Sequence, residues 1–153
     1  MQYCDGGNLH DYISRLDGEH TKQSSYLSFV YSRNMFEGLT YLSKNGLYHN
    51  DIKPENVLVT SDGHMVLTDF GIAELLLPGE KTFGRYGTPL YMAPESLQIK
   101  GHDFQADWWS LGVMAFELLA GYVPYEGRTS SDLVREQKKK LVYPENMNRI
   151  SKD

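Results

Sequence analysis

Two short polar segments, residues 48–56 and 68–71, carry the side chains in this sequence that are best suited to chemistry. The first contains Asp51 and Asn56, and the second contains Asp69. Both segments border short β-like runs, where a folded core does not tolerate idle polar groups. Oxygen ligands that converge from Asp and Asn side chains suit Mg²⁺, which is a hard cation. The segments therefore offer a candidate magnesium site if the fold brings them together.

A predicted β-hairpin would bring the two segments together. Ser-Asp-Gly joins the runs 56–60 and 65–68, and an Asp-Gly pair between such runs is a strong hairpin signal. Asn56 lies six residues before Asp62, and Asp69 lies seven residues after it. Antiparallel pairing would therefore place Asn56 and Asp69 at the same end of the hairpin.

Two helices are predicted ahead of these segments. Asn8 is a typical N-cap residue, and the apolar spacing after it predicts a short helix through Leu16. Ser24 or Ser25 would cap a longer helix whose apolar residues recur every three or four positions. Asn-Gly at 45–46 is typical of a left-handed C-terminal cap, so the second helix is expected to end there.

The second half of the chain is expected to contain one long loop and two helices. Residues 71–91 have no periodicity and several Gly and Pro residues, which indicates an irregular loop, and loops of that length are usually functional. After Asp107 we predict a helix that is apolar nearly all round and therefore buried. Ser130 or Ser131 would cap a last amphipathic helix.

The composition favours one globular domain and argues against a nucleic-acid-binding surface. Of 153 residues, 41% are hydrophobic and 12% aromatic, which is enough for a single packed core. Lys and Arg number 15 against 20 Asp and Glu, and the formal charge of −5 is opposite to that of most nucleic-acid-binding domains. We therefore expect no nucleic-acid partner.

The cysteine count and the apolar runs bear on the cellular compartment. Cys4 is the single cysteine, which excludes an intrachain disulfide and a cysteine-based zinc site. The most apolar stretch, 111–120, has ten residues and is too short to cross a membrane. The N-terminus does not have the pattern of a targeting signal. We expect a cytoplasmic protein with no membrane partner.

Taken singly, the polar residues have ordinary structural explanations. His49 could be a hydrogen-bonded core histidine, Asp51 a turn or cap residue, and Asp-Phe-Gly at 69–71 a turn that ends a strand. Their joint occurrence, in one order and with consistent spacing, favours a functional interpretation.

Together the two segments resemble the catalytic loop and the Asp-Phe-Gly motif of eukaryotic protein kinases. Residues 87–95 resemble the end of the kinase activation segment, and residues 107–112 resemble the start of the central C-lobe helix. The Trp pair at 108–109, together with 121–125 and 142–144, is similar to the AGC group of serine/threonine kinases.

The resemblance implies an α+β fold that is mostly α-helical, namely a protein-kinase-like C-lobe with a small β-hairpin and no N-lobe. Residues 1–153 would form a partial protein kinase domain whose C-lobe is truncated at its end. Its expected parts are the hinge (1–7), helices (8–45), the catalytic loop (48–56), the activation segment (69–95), and the central helix with the helices that follow (107–153).

The resemblance also implies roles for the polar residues. Asp51 would accept the proton of the substrate hydroxyl, and Lys53 would neutralise charge on the transferred γ-phosphoryl group. Asn56 and Asp69 would hold the Mg²⁺ ions that bridge the phosphates of ATP. Lys53 and Thr88 both favour Ser or Thr over Tyr as the acceptor. The implied activity is that of an ATP- and Mg²⁺-dependent serine/threonine protein kinase.

Nucleotide binding would also involve the N-terminal residues. By the resemblance, Met1 would be the gatekeeper, and the backbone of Gln2 and Cys4 would pair with adenine. Leu58 would form the floor under the adenine ring. For the first residues alone, an ordinary frayed terminus is the alternative.

Acidic residues bear on the protein substrate. Glu55 and Glu117 match positions at which related kinases bind arginines of the substrate, and Thr88 lies in the substrate-facing loop. Asn8 stands where a further acidic contact is usual. Exposed glutamates are common on any protein surface, so a solvated carboxylate is the alternative for Glu55 and Glu117. A basic Ser/Thr protein substrate is the expectation.

The sequence departs from the family pattern in two respects. It begins at the hinge, without the glycine-rich loop, the strand lysine or its partner glutamate, so we expect the chain to need an N-lobe and to be inactive alone. Asn50 replaces the arginine that ordinarily binds a phosphate on the activation segment. The usual phosphosite aligns with Gly84, and Thr82 and Tyr86 are the nearest hydroxyls. We expect an activity that does not require phosphorylation there.

A non-catalytic, pseudokinase-like module that binds a partner protein is the alternative from a different class. The intact set of Asp51, Lys53, Asn56 and Asp69 favours a working enzyme, whereas the missing N-lobe elements favour the binding module. A nucleotide-binding domain unrelated to kinases is disfavoured, because neither common glycine-rich phosphate loop occurs in the sequence.

Overall fold

A computed structural model describes residues 6–14 and 21–143 of the protein. This part of the chain forms α-helices and two small antiparallel sheets of two strands each. The helices are α1 (Leu9–Ser14), α2 (Thr21–Lys44), α3 (Pro94–Leu97), α4 (Gln105–Ala120) and α5 (Ser130–Gln137). The strands are β1 (Leu47–Tyr48), β2 (Val57–Val59), β3 (Met65–Leu67) and β4 (Glu74–Leu75), and a 3-10 turn spans Pro54–Asn56. The expectation of a mostly helical α+β fold is confirmed.

The predicted hairpin between the two polar segments is formed by β2 and β3. The strands are antiparallel, and Val57 lies opposite Leu67. In the turn, Gly63 has a φ of +82°, which residues with a Cβ rarely adopt. At the open end, the N–H of Thr68 donates a hydrogen bond to the carbonyl oxygen of Asn56 at 2.9 Å. The hairpin therefore brings the ends of the two polar segments side by side, as the sequence predicts.

A second sheet, formed by β1 and β4, was not predicted. Leu47 pairs with Leu75, and Tyr48 pairs with Glu74. Strand β4 lies within the region 71–91, so the prediction of an irregular loop was wrong for these two residues. A strand of two residues is too short to produce a period-2 pattern in the sequence. This sheet fixes the beginning of the region 71–91 beside the chain that leaves α2.

The starts of α1 and α2 give opposite outcomes. The Oδ1 of Asn8 accepts a hydrogen bond from the N–H of Asp11 at 2.8 Å, which confirms the predicted N-cap. Helix α2 begins at Thr21, so Ser24 and Ser25 lie inside it and the caps predicted there were wrong. Serine is favoured at N-caps but is also tolerated within helices, so its presence alone does not locate a helix start.

The end of α2 and the start of α4 agree closely with the sequence. Gly46 has a φ of +70°, as expected for the left-handed cap that ends α2. Helix α4 begins at Gln105 rather than after Asp107, a difference of the size usual at helix ends. Leu16, the predicted end of the first helix, lies outside the described residues.

The start of α5 corrects another predicted cap. Thr129, and not Ser130 or Ser131, is the N-cap residue. The Oγ1 of Thr129 accepts from the N–H of Asp132 at 3.1 Å, and the Asp132 carboxylate accepts from the N–H of Thr129 at 3.1 Å. This reciprocal capping box satisfies two backbone donors, so it is preferred over a serine that satisfies one.

The core packs α2 against α4 and extends beneath the 48–56 loop. Helix α4 is buried on most of its surface, as predicted. Ile52 of the loop and Val57 of β2 belong to this core, and Ile52 is only 1% exposed. Other buried members are Leu9, Ile13, Tyr31, Met35, Leu39, Tyr91, Leu111, Val113, Met114 and Leu118. No helix among the described residues has the length and apolar content needed to span a membrane.

Candidate active site

One buried carboxylate fixes the backbone of the 48–56 loop. Asp107 of α4 accepts hydrogen bonds from the N–H of His49 at 2.8 Å and from the N–H of Asn50 at 3.1 Å. Only 3% of Asp107 is exposed. Burial raises the pKa of Asp107 to about 7, and the two backbone hydrogen bonds oppose this shift only in part. This anchor holds the residues just before Asp51 against the core.

Asp51 lies at the centre of a cluster that contains three other predicted site residues. Its Oδ2 is 2.8 Å from the Nζ of Lys53 and 3.0 Å from the Nδ2 of Asn56, which donates to it. Its Oδ1 accepts from the Oγ1 of Thr88 at 3.0 Å. Lys53 also donates to the Oγ1 of Thr88 at 2.9 Å. The fold therefore joins the 48–56 loop to the far end of the 69–95 segment at this carboxylate.

The cluster keeps Asp51 ionised. Burial alone would raise the pKa of Asp51, but the hydrogen bonds from Lys53, Thr88 and Asn56 outweigh it and hold that pKa below its ordinary value. The side chains of Lys53 and Asp51 are 21% and 11% exposed, so water screens this ion pair less than one on the open surface. Asp51 can therefore orient a hydroxyl group as a hydrogen-bond acceptor at neutral pH.

The contacts of Asn56 determine which way its amide group points. Its Nδ2 donates to the backbone oxygen of Asp51 at 2.8 Å and to the Asp51 carboxylate at 3.0 Å. Both amide hydrogens are therefore directed at Asp51. The Oδ1 of Asn56 must point to the other side, where it can act as an oxygen ligand.

Asp69 lies beside the loop at the open end of the hairpin. The Nε2 of His49 donates to the carbonyl oxygen of Thr68 at 3.0 Å, and the rings of His49 and Phe70 lie 4.7 Å apart in an edge-to-face arrangement. Burial lowers the pKa of His49, and the charges of Asp51 and Asp69 oppose this effect in part. Both carboxylates are therefore close enough to act electrostatically on the same imidazole.

The carboxylate of Asp69 is exposed and has a constrained backbone. Its φ is +61°, a left-handed conformation in which Asp is tolerated better than most residues. Its Oδ1 accepts a hydrogen bond from the N–H of Gly71 at 3.3 Å. The turn thus orients a carboxylate that remains open to a ligand.

The donor set fits a divalent cation that is shared with another molecule. Within the described part of the chain, no group of three or more His, Cys, Asp or Glu side chains is arranged to hold a metal ion. Asn56 and Asp69 offer one amide oxygen and one carboxylate, which suit Mg²⁺ but do not fill its octahedral shell. A cation held here would need further oxygens from water or from phosphate groups.

The two predicted substrate-binding glutamates differ in their surroundings. Glu55 is exposed in the 3-10 turn, whereas the Oε2 of Glu117 accepts a hydrogen bond from the hydroxyl of Tyr91 at 2.7 Å. Burial raises the pKa of Glu117, and the charge of Glu55 raises it further. The two carboxylates are therefore near each other and form a local negative potential beside the 48–56 loop.

The residues predicted to bind adenine are described only in part. Leu58 of β2 is half-buried, and its backbone bridges to Asn8 at the start of α1. Met1, Gln2 and Cys4 lie outside the described residues. The hinge prediction therefore stays a prediction.

Two functional contacts were not found from the sequence. The role of Asp107 as anchor was not predicted, although an Asp within a helix that is apolar nearly all round is itself a signal of a buried carboxylate. His102 was also overlooked: its Nε2 donates to the carbonyl oxygen of Gly84 at 2.8 Å, and its Nδ1 accepts from the hydroxyl of Tyr48 at 3.0 Å. His102 thus fixes part of the 69–95 segment to the core, through a pairing of residues far apart in the chain.

The family model and the similar proteins found by comparison all indicate the same family. The family model described as protein kinase domain matches residues 1–152. The chain is 40% identical over 125 residues to the human cAMP-dependent protein kinase catalytic subunit PRKX, a match that covers 82% of this chain and 33% of that protein. It is 42% identical to the cAMP-dependent protein kinase catalytic subunit 3 of Drosophila melanogaster, covering 82% of this chain and 20% of that protein.

A plant relative is matched over a longer stretch. The chain is 39% identical over 150 residues to the serine/threonine-protein kinase AtPK1/AtPK6 of Arabidopsis thaliana, a match that covers 95% of this chain and 30% of that protein. The chain therefore spans 20% to 33% of the length of these three relatives.

Proposed function

This chain belongs to the protein kinase domain family and is related to its AGC group, and we propose that it forms the C-terminal catalytic lobe of a serine/threonine protein kinase. The proposed reaction transfers the γ-phosphoryl group of ATP to a Ser or Thr hydroxyl of a protein, with Mg²⁺ as cofactor. The observation that carries the proposal is the cluster of Lys53, Asn56 and Thr88 around Asp51. The proposed parts of the domain are the hinge (1–7), helices (8–45), catalytic loop (48–56), activation segment (69–95) and central helix with those that follow (107–153).

Asp51 would orient the acceptor and take its proton. Its carboxylate is ionised at neutral pH, because the hydrogen bonds it accepts hold its pKa below the ordinary value. A Ser or Thr hydroxyl placed within hydrogen-bond distance would donate to this carboxylate and lose its proton to it as the oxygen bonds to the γ-phosphorus, while the bond between that phosphorus and ADP breaks and ADP leaves. Phosphoryl transfer needs little covalent help, so this positioning supplies much of what the protein contributes.

Lys53 would stabilise negative charge next to the acceptor. Its ammonium group contacts both the Asp51 carboxylate and the Thr88 hydroxyl. It is therefore held next to the carboxylate that would bind the acceptor hydroxyl. A fixed cation at this position stabilises charge that develops on the transferred group. Thr88 connects the segment that would face the substrate to the base, and we propose that it favours Ser and Thr acceptors.

Asn56 and Asp69 would hold the cation. The Oδ1 of Asn56 points away from Asp51, and the Asp69 carboxylate is exposed at the open end of the same hairpin. Bound Mg²⁺ would supply charge neutralisation and alignment of the ATP phosphates. Leu58, Met1, Gln2 and Cys4 are the proposed contacts of the adenine ring.

The acidic pair would favour a basic protein substrate. Glu55 is exposed, and it lies near enough to Glu117 to raise the pKa of Glu117. Two neighbouring carboxylates attract arginine or lysine side chains through charge-assisted hydrogen bonds. We therefore propose that basic residues near the acceptor improve binding.

Transfer would also require elements that do not occur in these 153 residues. The sequence contains no glycine-rich loop of the kinase type and no strand lysine with a partner glutamate. In kinases these elements cover the phosphates of ATP and position them. We propose that an N-lobe supplies them and that residues 1–153 are inactive without it.

The test is the loss of phosphoryl transfer in Asp51→Asn of the full natural polypeptide that contains these residues. The substitution preserves shape but removes the base, so transfer to a Ser/Thr peptide should fall by about a thousandfold. Glu37→Gln is the control, because Glu37 lies on the exposed surface of α2 in an ion pair with Arg33. Undiminished transfer by Asp51→Asn would contradict the role of Asp51. Absence of transfer by the unaltered polypeptide would favour a non-catalytic, protein-binding module.

A further inference from the structure

A carboxylate joins the 48–56 loop to the 69–95 segment at a second place, far along the chain from Thr88. The Oε1 of Glu74 accepts a hydrogen bond from the Nδ2 of Asn50 at 3.2 Å and another from the Oγ1 of Thr82 at 3.1 Å. Asn50 adjoins Asp51 in the loop, and Thr82 lies in the middle of the segment. Glu74 thus bridges the two through neutral donors.

The bridge contains no cation. Among the described residues, no Lys, Arg or His side chain forms an ion pair with Glu74. The Asn50 amide also donates to the carbonyl oxygen of Ile72 at 3.0 Å, so both of its donor positions serve the segment. The charge of this anchor is therefore negative and comes from the protein itself.

The bridge is connected to the proposed catalytic cluster through Asn50, which adjoins Asp51, and through Gly87 and Thr88 further along the segment. Gly87 has a φ of +94°, and a Cβ there would lie 2.3 Å from the carbonyl oxygen of Asn50, so the segment passes directly against the loop. The next residue, Thr88, donates to Asp51. A change in the path of the chain between Glu74 and Gly87 would therefore alter the contact between Thr88 and Asp51.

Thr82 is held in two ways that respond differently to charge. Its backbone N–H and carbonyl oxygen pair with those of His102, each at 2.9 Å. Its hydroxyl donates to Glu74 and is half-buried. A phosphate on that hydroxyl would remove the donor hydrogen and place a charge of about −1.5 to −2 beside a carboxylate. The backbone pairing gains nothing from the phosphate, so it does not remove the repulsion between the two side chains.

We propose that Glu74 is a positioning residue that holds the activation segment in place without a phosphate, and that phosphorylation of Thr82 releases the segment and switches the enzyme off. The modification would form a bond between the Thr82 oxygen and the γ-phosphorus of ATP and break the bond between that phosphorus and ADP. ADP leaves, and the hydroxyl proton passes to the base of the modifying kinase. The effect on catalysis rests on the proposed function, whereas release of the segment does not.

The first experiment compares Thr82→Glu with Thr82→Gln in the full natural polypeptide. The two side chains have the same shape, and only glutamate adds a negative charge next to Glu74. Amide hydrogen exchange of residues 72–86 should be about tenfold faster in the glutamate variant than in the glutamine variant. Thr82→Ser retains the hydroxyl and should exchange at nearly the rate of the unaltered protein. Equal exchange in the glutamate and glutamine variants would overturn the proposal.

The second experiment removes the charge of the anchor. In Glu74→Gln combined with Thr82→Glu, the amide oxygen can still accept from Asn50 and the amide N–H can donate to the new carboxylate, so the repulsion is absent and exchange of residues 72–86 should return to within about threefold of that of the unaltered protein. If the double variant exchanges as fast as Thr82→Glu alone, charge at Glu74 is not the cause and the proposal fails. In Thr82→Ser and in the double variant, residues 72–86 are both expected to exchange slowly. Fast exchange in both, as a general failure to fold would give, therefore contradicts the proposal.

Phosphoryl transfer provides the readout for regulation. Thr82→Glu should lower the transfer rate by about tenfold relative to Thr82→Gln, and the double variant with Glu74→Gln should restore it. Undiminished transfer by Asp51→Asn would refute the proposed function while leaving the exchange results intact. Loss of transfer in Asp51→Asn together with equal rates for the two Thr82 variants would refute only this inference.

Discussion

The 48–56 loop and the 69–95 segment are both irregular, yet they are held by different kinds of contact. In the loop, Ile52 is 1% exposed and joins the core, and the buried Asp107 fixes the backbone. In the segment, Leu75 is 70% exposed and Leu77 is 64% exposed.

Between residues 69 and 88 the segment is attached by hydrogen bonds and by two short backbone pairings, β1 with β4 and Thr82 with His102, and no apolar side chain there is fully buried. Only its end, at Tyr91, Met92 and Ala93, is buried in the core. Core packing therefore gives the loop a fixed shape, while the segment depends on contacts that a single charge can break.

This difference assigns the two regions different roles. The loop presents the proposed base and one metal ligand, and these need a constant geometry. The segment supplies Thr88 to the same cluster but reaches it through polar contacts such as those of Glu74 and His102. Elements with little buried apolar contact lie at the low-stability end of a protein and are the ones that switch.

The largest effect is expected from removal of the loop anchor. Asp107→Ala leaves the buried N–H groups of His49 and Asn50 without an acceptor, so the free energy of unfolding should fall by about 3 kcal/mol. Urea denaturation followed by circular dichroism measures the change.

Asp103→Ala is the matched control for that variant. Asp103 accepts a backbone hydrogen bond from Gln105 at 2.9 Å at the exposed start of the same helix, and its loss should cost less than about 1 kcal/mol. Similar losses in Asp103→Ala and Asp107→Ala would mean that burial of the anchor does not distinguish the loop.

A smaller and more local effect is expected from Asn50→Ala. This variant removes the amide that donates to Ile72 and Glu74 but keeps the backbone bonds to Asp107. Hydrogen exchange of residues 72–86 should be about tenfold faster, while exchange of the amides in α4 is unchanged.

Asn50→Gly separates the lost amide from backbone strain. Asn50 has a φ of +73°, which glycine adopts without strain and alanine does not. The two variants should show the same exchange in residues 72–86, and Asn50→Ala should be less stable to unfolding by about 1 kcal/mol. Unchanged exchange in residues 72–86 in both variants would show that the amide does not hold the segment.

The sequence predicted the loop better than the segment, for physical reasons. The hairpin and the cap at Asn8 arise from local preferences, so residue type and spacing were sufficient. The predicted starts of α2 and α5 were a few residues away from the observed ones, because several neighbouring Ser and Thr residues could serve equally well as N-caps. The fold class followed from these local patterns, with one small sheet missing.

The features that could not be predicted from the sequence depend on long-range contacts. The pairing of β1 with β4 and the bridge from Asn50 through Glu74 to Thr82 join residues 8 to 32 positions apart, and no periodic pattern records such contacts. The residues of the cluster around Asp51 were predicted only from the order of the kinase-like motifs along the chain. Its hydrogen bonds, and hence the lowered pKa of Asp51, depend on how Thr88 returns to the loop.

The smallest effect is expected in the pH dependence of stability. The folded-state pKa of Asp51 is below its ordinary value, so its contribution to stability is complete above pH 3.8 and is lost as the pH falls below that value. The unaltered protein should therefore lose stability more steeply than Asp51→Asn does as the pH falls below about 4. Urea denaturation at several pH values measures both slopes, and parallel slopes would show that the cluster does not stabilise the carboxylate.

The most direct test of the account is a crystal structure of the full natural polypeptide with Mn²⁺ and a non-hydrolysable ATP analogue. Mn²⁺ replaces Mg²⁺ and is located by its anomalous scattering. A metal is expected within about 2.2 Å of both the Oδ1 of Asn56 and the carboxylate of Asp69, with the terminal phosphate facing Asp51. A nucleotide bound with its metal held by other residues, or with Asn56 and Asp69 both free of metal, would contradict it.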